Sequence, residues 1–181
     1  GVQTCALPIL SAKHCFDYEF ETLYIQSYRL SHIWSTHWVE KGNYTLVRHP
    51  YKDLMLVQLA EPIYPSDEHH SAAYWEPWNL ATNKVYVAGA GWSNRYGSSG
   101  SQLGFVQGMV QRVEPTYGLY DLALLPGQGV CGGDSGGPAM ISFQNRLYVV
   151  GVTSRSSSDI IKDKKCGTHL YFESLKGDMD W

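Results

Sequence analysis

The sequence contains no apolar run long enough to span a membrane. That excludes a spanning helix within these 181 residues. It also lacks any long apolar repeat at helical spacing, so helix content is expected to be low. Charge is sparse, with 17% Asp, Glu, Lys and Arg and a net charge of −3. Such a balance gives no electrostatic footprint for nucleic acid, and neither a nucleic-acid nor a membrane partner is expected. Cysteines are few, four in all.

What is present suits a β protein. The chain is 44% hydrophobic, enough for one sizeable core or two small ones sharing an interface. Its 13 Tyr, 6 Trp and 18 Gly fit short strands and tight turns. Strand-like segments recur at 23–28, 44–47, 54–59, 84–88, 104–113, 139–141 and 147–153, with turn signals between them. A boundary is expected within 72–83, which is polar and aromatic. The Ser- and Gly-rich stretch 93–101 reads as a mobile surface loop.

The most informative string is Cys131-Gly132-Gly133-Asp134-Ser135-Gly136-Gly137-Pro138. A serine hydroxyl is a poor nucleophile unless a base takes its proton and donors await the oxyanion. Glycines let the backbone turn sharply, keep the space above the hydroxyl clear, and let N–H groups converge. A bare Gly-x-Ser-x-Gly is more often an ordinary turn. Here two partners lie upstream: His14 in Leu10-Ser11-Ala12-Lys13-His14-Cys15, and Asp53 in Tyr51-Lys52-Asp53-Leu54-Met55-Leu56. The order His, Asp, Ser is one of the three orders known for this constellation.

All three segments resemble the trypsin/chymotrypsin family of serine endopeptidases, and the resemblance runs from about Leu10 to the last residue. It implies an all-β fold of two six-stranded antiparallel β-barrels of the chymotrypsin type. On this reading, residues 10–80 form a partial first barrel carrying His14 and Asp53. Residues 81–181 form the second, carrying Ser135 and the specificity pocket, with the active site in the cleft between them. Gly89-Ala90-Gly91-Trp92 resembles a family turn early in the second barrel.

Both ends depart from the family. Residues 1–9 match one reading frame of a common sequencing adapter and are expected to be an artefact outside the fold. The competing reading is a genuine strand whose Cys5 pairs with Cys15, but ten residues is too short for the family's hairpin. Residues 173–181 read as the start of the family's closing helix, truncated. The sequence is therefore expected to be an internal piece of a secreted enzyme, inactive or nearly so as given.

The resemblance also assigns roles. Ser135 is the expected nucleophile, His14 the general base and then acid, and Asp53 the group that orients His14. The N–H groups of Gly133 and Ser135 are expected to form the oxyanion hole. Asp134 matches the residue that pairs with the α-amino terminus made by zymogen cleavage. Cys131 and Cys166 match a disulfide beside the pocket, which implies an oxidising compartment, extracellular or periplasmic. Cys15 is left without its native partner. Gly129 occupies the base of the primary pocket, where trypsin-like enzymes carry Asp, so cleavage after Arg or Lys is not expected. Val130, Ser154, Arg155, Ser156 and His169 are the other expected substrate-binding residues. Ser156 and His169 should narrow the pocket toward small or medium side chains. Alternatively, His169 helped by Arg155 attracts an acidic side chain. Arg155 also has a plain reading as a solvated charge.

Weaker features point elsewhere. His69-His70 has no carboxylate or Cys at usual ligand spacing, so neither metal nor other cofactor is expected. His32, His37 and His49 read as ordinary strand or loop residues. Asn43-Tyr44-Thr45 is a glycosylation sequon. Lys13 stands where the family usually has Ala and reads as a tolerated surface substitution. The expected partners are peptide or protein substrates, and the expected state is a monomer. The alternative function is a catalytically dead relative acting as a binding module. A different hydrolase would need the order Ser, Asp, His and alternating strands and helices.

Overall fold

The computed structural model describes residues 9–17, 20–29, 32–61, 73–74, 80, 84–91, 103–114, 118–156 and 166–177. Cys5, His69, His70, Trp92, the 93–101 loop and residues 178–181 lie outside the described residues.

The first half is built from five strands and one short 3-10 turn. These are β1 (Ile9–Ser11), the turn Lys13–Phe16, β2 (Thr22–Arg29), β3 (His32–Glu40), β4 (Tyr44–Arg48) and β5 (Met55–Leu59). β5 lies between β1 and β4, while β2 and β3 form a separate hairpin. Alternation along β5 turns Met55, Val57 and Leu59 inward, as period-2 side-chain geometry requires. Ile9, Leu23, Ile25, Val39 and Leu46 pack on them and join the two sheets into one core.

The second half contains β6 (Ala73–Tyr74), β7 (Lys84–Gly89), β8 (Gly104–Glu114), β9 (Leu119–Leu124), β10 (Val130–Cys131), β11 (Pro138–Phe143), β12 (Arg146–Ser156), β13 (Cys166–Gly167) and β14 (His169–Ser174). Six of them run in the order β7-β8-β9-β14-β12-β11, and β11 pairs back to β7. Every pairing in this closed barrel is antiparallel. Closure leaves no unpaired edge. Val85, Val87, Leu122, Ile141, Leu170 and Phe172 fill the interior. The Phe172 ring stacks on Tyr120 with centroids 5.1 Å apart. The fold is thus all-β, of the chymotrypsin type, with no α-helix among the described residues.

Three boundaries differ from the sequence reading. Ile9, expected outside the fold, pairs with Val57 and packs on the first core, because its apolar side chain continues the alternation of β1. Ala73–Tyr74 and Leu80, expected in the first half, join the second: β6 pairs with β12, and Leu80 enters the barrel core. Glu173 and Ser174 end strand β14 rather than begin a helix, since the ladder to β12 and β9 holds Glu173 in extended form and Ser174 pairs with Gly151.

Candidate active site

The site lies where the two halves meet, along an apolar seam of Ala12, Leu54 and Val152. Ala12, fully buried, ends the approach from β1, and the 3-10 turn after it closes through a Cys15 N–H to Ala12 carbonyl bond of 3.2 Å. This turn presents His14 with 42% of its side chain exposed. Asp53 sits on the loop between β4 and β5. His49 organises that loop from within: it is buried, its N–H donates to the Leu54 carbonyl, and its Nδ1 accepts the N–H groups of Tyr51 and Lys52. Lys13 reaches across to the His49 carbonyl at 3.3 Å, so it ties the two segments together rather than standing free on the surface.

Asp53 and His14 meet twice. The His14 backbone N–H donates to Asp53 Oδ1 at 2.9 Å, and His14 Nδ1 lies 2.6 Å from Oδ2. Ser154 Oγ donates to the same Oδ2 at 2.7 Å. Ser154 is aimed there by a bulge: the β12–β14 register shifts between Thr153 and Arg155, which re-aims the intervening side chain. Burial works against the charged form of Asp53. The Ser154 hydroxyl, the His14 N–H and the His14 ring together outweigh it, so the carboxyl is held below the ordinary carboxylate range.

The turn that carries Ser135 is locked to the same stretch of β12. Gly136 N–H donates to the Thr153 carbonyl, and Thr153 N–H donates to the Gly137 carbonyl, both at 2.8 Å. Gly136 needs its lack of a side chain. Its φ is +83°, and a Cβ there would overlap the Ser11 hydroxyl. The N–H groups of Asp134, Gly136 and Gly137 are taken by the carbonyls of Cys131, Thr153 and Asp134. Among the described residues those of Gly133 and Ser135 have no backbone acceptor of their own, unlike their neighbours. The Ser135 hydroxyl donates to the Ser154 carbonyl at 3.3 Å. The structure therefore brings Ser135, Ser154, Asp53 and His14 into one chain of contacts. Ser135 is linked to Ser154 rather than to His14, whose Nε2 lies 3.9 Å from Cys15 Sγ.

Asp134 turns away from the nucleophile into the barrel side. Its Oδ1 accepts from Gly91 N–H and its Oδ2 from Cys131 N–H, each at 2.8 Å. Cys131 and Cys166 are disulfide-bonded, at the register pair that joins β10 to β13. Cys15 is free among the described residues, and burial followed by the Asp53 charge pushes its thiol up.

Around the expected pocket the residues divide. Gly129 packs against the disulfide, with an added Cβ only 3.4 Å from Cys166 Cβ. Val130 is buried, 3% exposed, and belongs to the barrel core, so only its main chain is left to meet a ligand. Ser154, buried, contributes a carbonyl and the bond to Asp53 rather than a wall. Arg155 is exposed with its guanidinium 5.4 Å from the centre of the Tyr171 ring, a cation–π placement. His169 Nδ1 lies 3.1 Å from Asp121 Oδ1 on the neighbouring strand. Neither Asp121 nor the organising roles of His49 and Lys52 carries a motif in the sequence. The first needs the β9–β14 register, in which Asp121 lies opposite Tyr171, two residues beyond His169. No group of three or more His, Cys, Asp or Glu that could hold a metal occurs among the described residues.

With this geometry in view, the comparison with known families is decisive. The trypsin family model matches residues 6–174. This chain belongs to the trypsin family of serine proteases. The match covers both halves, including the three segments that carry His14, Asp53 and Ser135. A comparison with curated proteins finds no significant match. Members of the family are serine endopeptidases and typically secreted. No helix among the described residues is long and apolar enough to cross a membrane.

Proposed function

We propose that this trypsin-family protein is a secreted endopeptidase that hydrolyses peptide bonds through an acyl-enzyme on Ser135. One observation carries the reading: Asp53 accepts from His14 at both its ring and its backbone and from Ser154, whose own carbonyl takes the Ser135 hydroxyl. Ser135 and His14 are thereby linked through Ser154 and Asp53. The reaction requires the Ser135 side chain to turn from the Ser154 carbonyl to His14 Nε2, a nucleophile–base contact often unformed in unliganded enzymes. His14 then takes the proton, the Ser135 oxygen attacks the carbonyl carbon, and Asp53 stabilises the imidazolium. The N–H groups of Gly133 and Ser135 receive the oxyanion. Losing one such donor costs about 3–4 kcal/mol of transition-state stabilisation. His14 returns the proton to the leaving amine, and water releases the acyl group by the reverse steps. The role of Asp134 is to receive the α-amino terminus made by activation cleavage, in exchange for Gly91 and Cys131.

Gly129 brings no carboxylate to the pocket base, so an Arg or Lys side chain entering it would be desolvated unpaired. That disfavours such substrates by about a hundredfold or more. The preferred side chains are small or medium, such as Ala and Val. A second reading, cleavage after Glu, has His169, helped by Arg155, attract an acidic side chain. A peptide library hydrolysed by the activated full-length protein tests both. Preference for Ala or Val supports the first, and preference for Glu supports the second. Preference for Arg or Lys contradicts both. Absence of hydrolysis favours the dead relative that binds without cleaving.

A further inference from the structure

Lys52, the residue before Asp53, is bound at both of its ends. Its N–H donates to His49 Nδ1 at 2.8 Å, within the loop between β4 and β5. Its Nζ leaves that loop and donates to the Ser174 carbonyl at 3.0 Å and the Lys176 carbonyl at 3.2 Å, where β14 ends. A compact ammonium on a flexible four-carbon stem can serve two carbonyls at such a reach, and charge-assisted bonds are stronger than neutral ones. The seat for this ammonium is itself tied down. Ser174 is buried, its N–H donates to the Gly118 carbonyl at 2.8 Å, and its hydroxyl accepts the Lys176 N–H at 3.0 Å. Leu175 N–H donates to the Val150 carbonyl at 3.2 Å, and Leu175 packs against the seam of Ala12, Leu54 and Val152. Gly118 leaves the seat open: a Cβ there would lie only 3.0 Å from Lys52 Nζ. The segment 174–176 thus meets both neighbours of Asp53, Lys52 through its carbonyls and Leu54 through the seam.

We propose that Lys52 is a positioning residue for Asp53, latching the main chain of its loop to the end of β14 while Ser154 holds its carboxylate. The proposal rests on the reading of Asp53 as the orienting carboxylate of the triad. Ser154 lies on β12 and Ser174 on β14, which are paired strands of the closed barrel. Both grips on the Asp53 loop therefore come from one rigid ladder, and the loop cannot shift along the seam without breaking one of them. The sequence places Lys52 beside Asp53 but shows nothing of the carbonyls it reaches, which lie more than a hundred residues away.

A residue that acts through Asp53 betrays itself by loss of additivity. Lys52→Met keeps most of the stem and removes the ammonium. It should slow the reaction of the activated full-length protein with a fluorophosphonate about tenfold. In an Asp53→Asn background the same change should alter the rate by less than about twofold, since orientation already lost cannot be lost again. Lys52→Arg keeps a cation with donors for both carbonyls and should restore the rate to within about threefold of wild type. Amide hydrogen exchange reads the latch without needing activity. The His49 N–H, which closes the loop on the Leu54 carbonyl at 3.0 Å, should exchange about tenfold faster in Lys52→Met. Barrel amides such as Val85 and Ile141 should keep their wild-type rates; faster exchange there as well would reveal general loosening and overturn the proposal. A His49 amide indifferent to Lys52→Met overturns it too, as does a slowing that persists undiminished in Asp53→Asn. A wild-type protein that ignores the fluorophosphonate overturns the triad reading instead, and the exchange measurement still decides whether Lys52 holds the loop.

Discussion

The half that carries Ser135 is a barrel closed by six strands, whereas the half that carries His14 and Asp53 is two sheets, β1–β5–β4 and the β2–β3 hairpin. In the barrel each strand has two partners, and eleven buried residues form a single core. Among the described residues of the first half, the buried core is Met55, Val57 and Leu59, with Ala12 and Leu54 at the seam. Ser135 is accordingly fixed by its own half, through the paired bonds of Gly136, Gly137 and Thr153. Asp53 is held from both halves, by His14 and the His49-organised loop on its own side and by Ser154 across the seam, where Lys52 also reaches the Ser174 carbonyl. The lesson is that a site on a two-part fold can borrow its precision from the stiffer part.

The comparison breaks most completely if the link across the seam is cut at Asp53. Asp53→Asn should lower peptidase activity by about 10⁴-fold, because an amide leaves His14 in the wrong tautomer. It should also change stability with a defined sign. The folded Asp53 carboxyl lies below its ordinary range, so the stability it contributes is present above that range and is lost as pH falls through the folded value. Unfolding curves of wild type and Asp53→Asn should therefore differ at neutral pH and converge in acid.

Next in size is the contrast between the cores. Phe172→Ala removes a fully buried ring from a closed barrel that cannot collapse around the cavity, and should cost about 4–5 kcal/mol. Met55→Ala, in open sheets free to relax, should fall near the low end of its class, about 2–3 kcal/mol. Denaturant unfolding of the two variants measures the difference. Equal losses would remove the distinction between a stiff and a compliant half.

How much of this is legible in the sequence depends on whether the information is local. Ser135, His14 and Asp53 can be named from strings of a few residues because each chemistry demands particular neighbours. Strands β2, β4, β5, β7, β8, β11 and β12 follow from apolar alternation between turn signals. β3 carries no such signal, since its His, Ser and Thr side chains blur the alternation. The end of β14 misleads for a related reason. Glu173, Ser174 and Lys176 look like the polar start of a helix, yet both Glu173 and Ser174 are buried in a ladder. Val130 lies beside Gly129 in sequence, but the strand's alternation sends its side chain into the core. The His169–Asp121 pair joins residues far apart in sequence, and no single-chain pattern gives that register.

The smallest expected effect sharpens the comparison at one bond. Ser154→Ala deletes the hydroxyl on Asp53 Oδ2 and leaves both His14 contacts in place. Activity should drop about tenfold, the weight of one charge-assisted bond, with the overall fold retained by circular dichroism. A loss as large as that of Asp53→Asn would mean that Ser154 does more than hold a carboxylate.

The central claim is that Ser135 is a nucleophile activated by a His14–Asp53 pair that the barrel holds in place. Fluorophosphonate labelling of the activated full-length protein, mapped by peptide mass spectrometry, addresses it directly. The account predicts one adduct on Ser135, absent in Ser135→Ala and strongly slowed in His14→Ala. No adduct on the wild type, or an adduct that persists in Ser135→Ala, would contradict it.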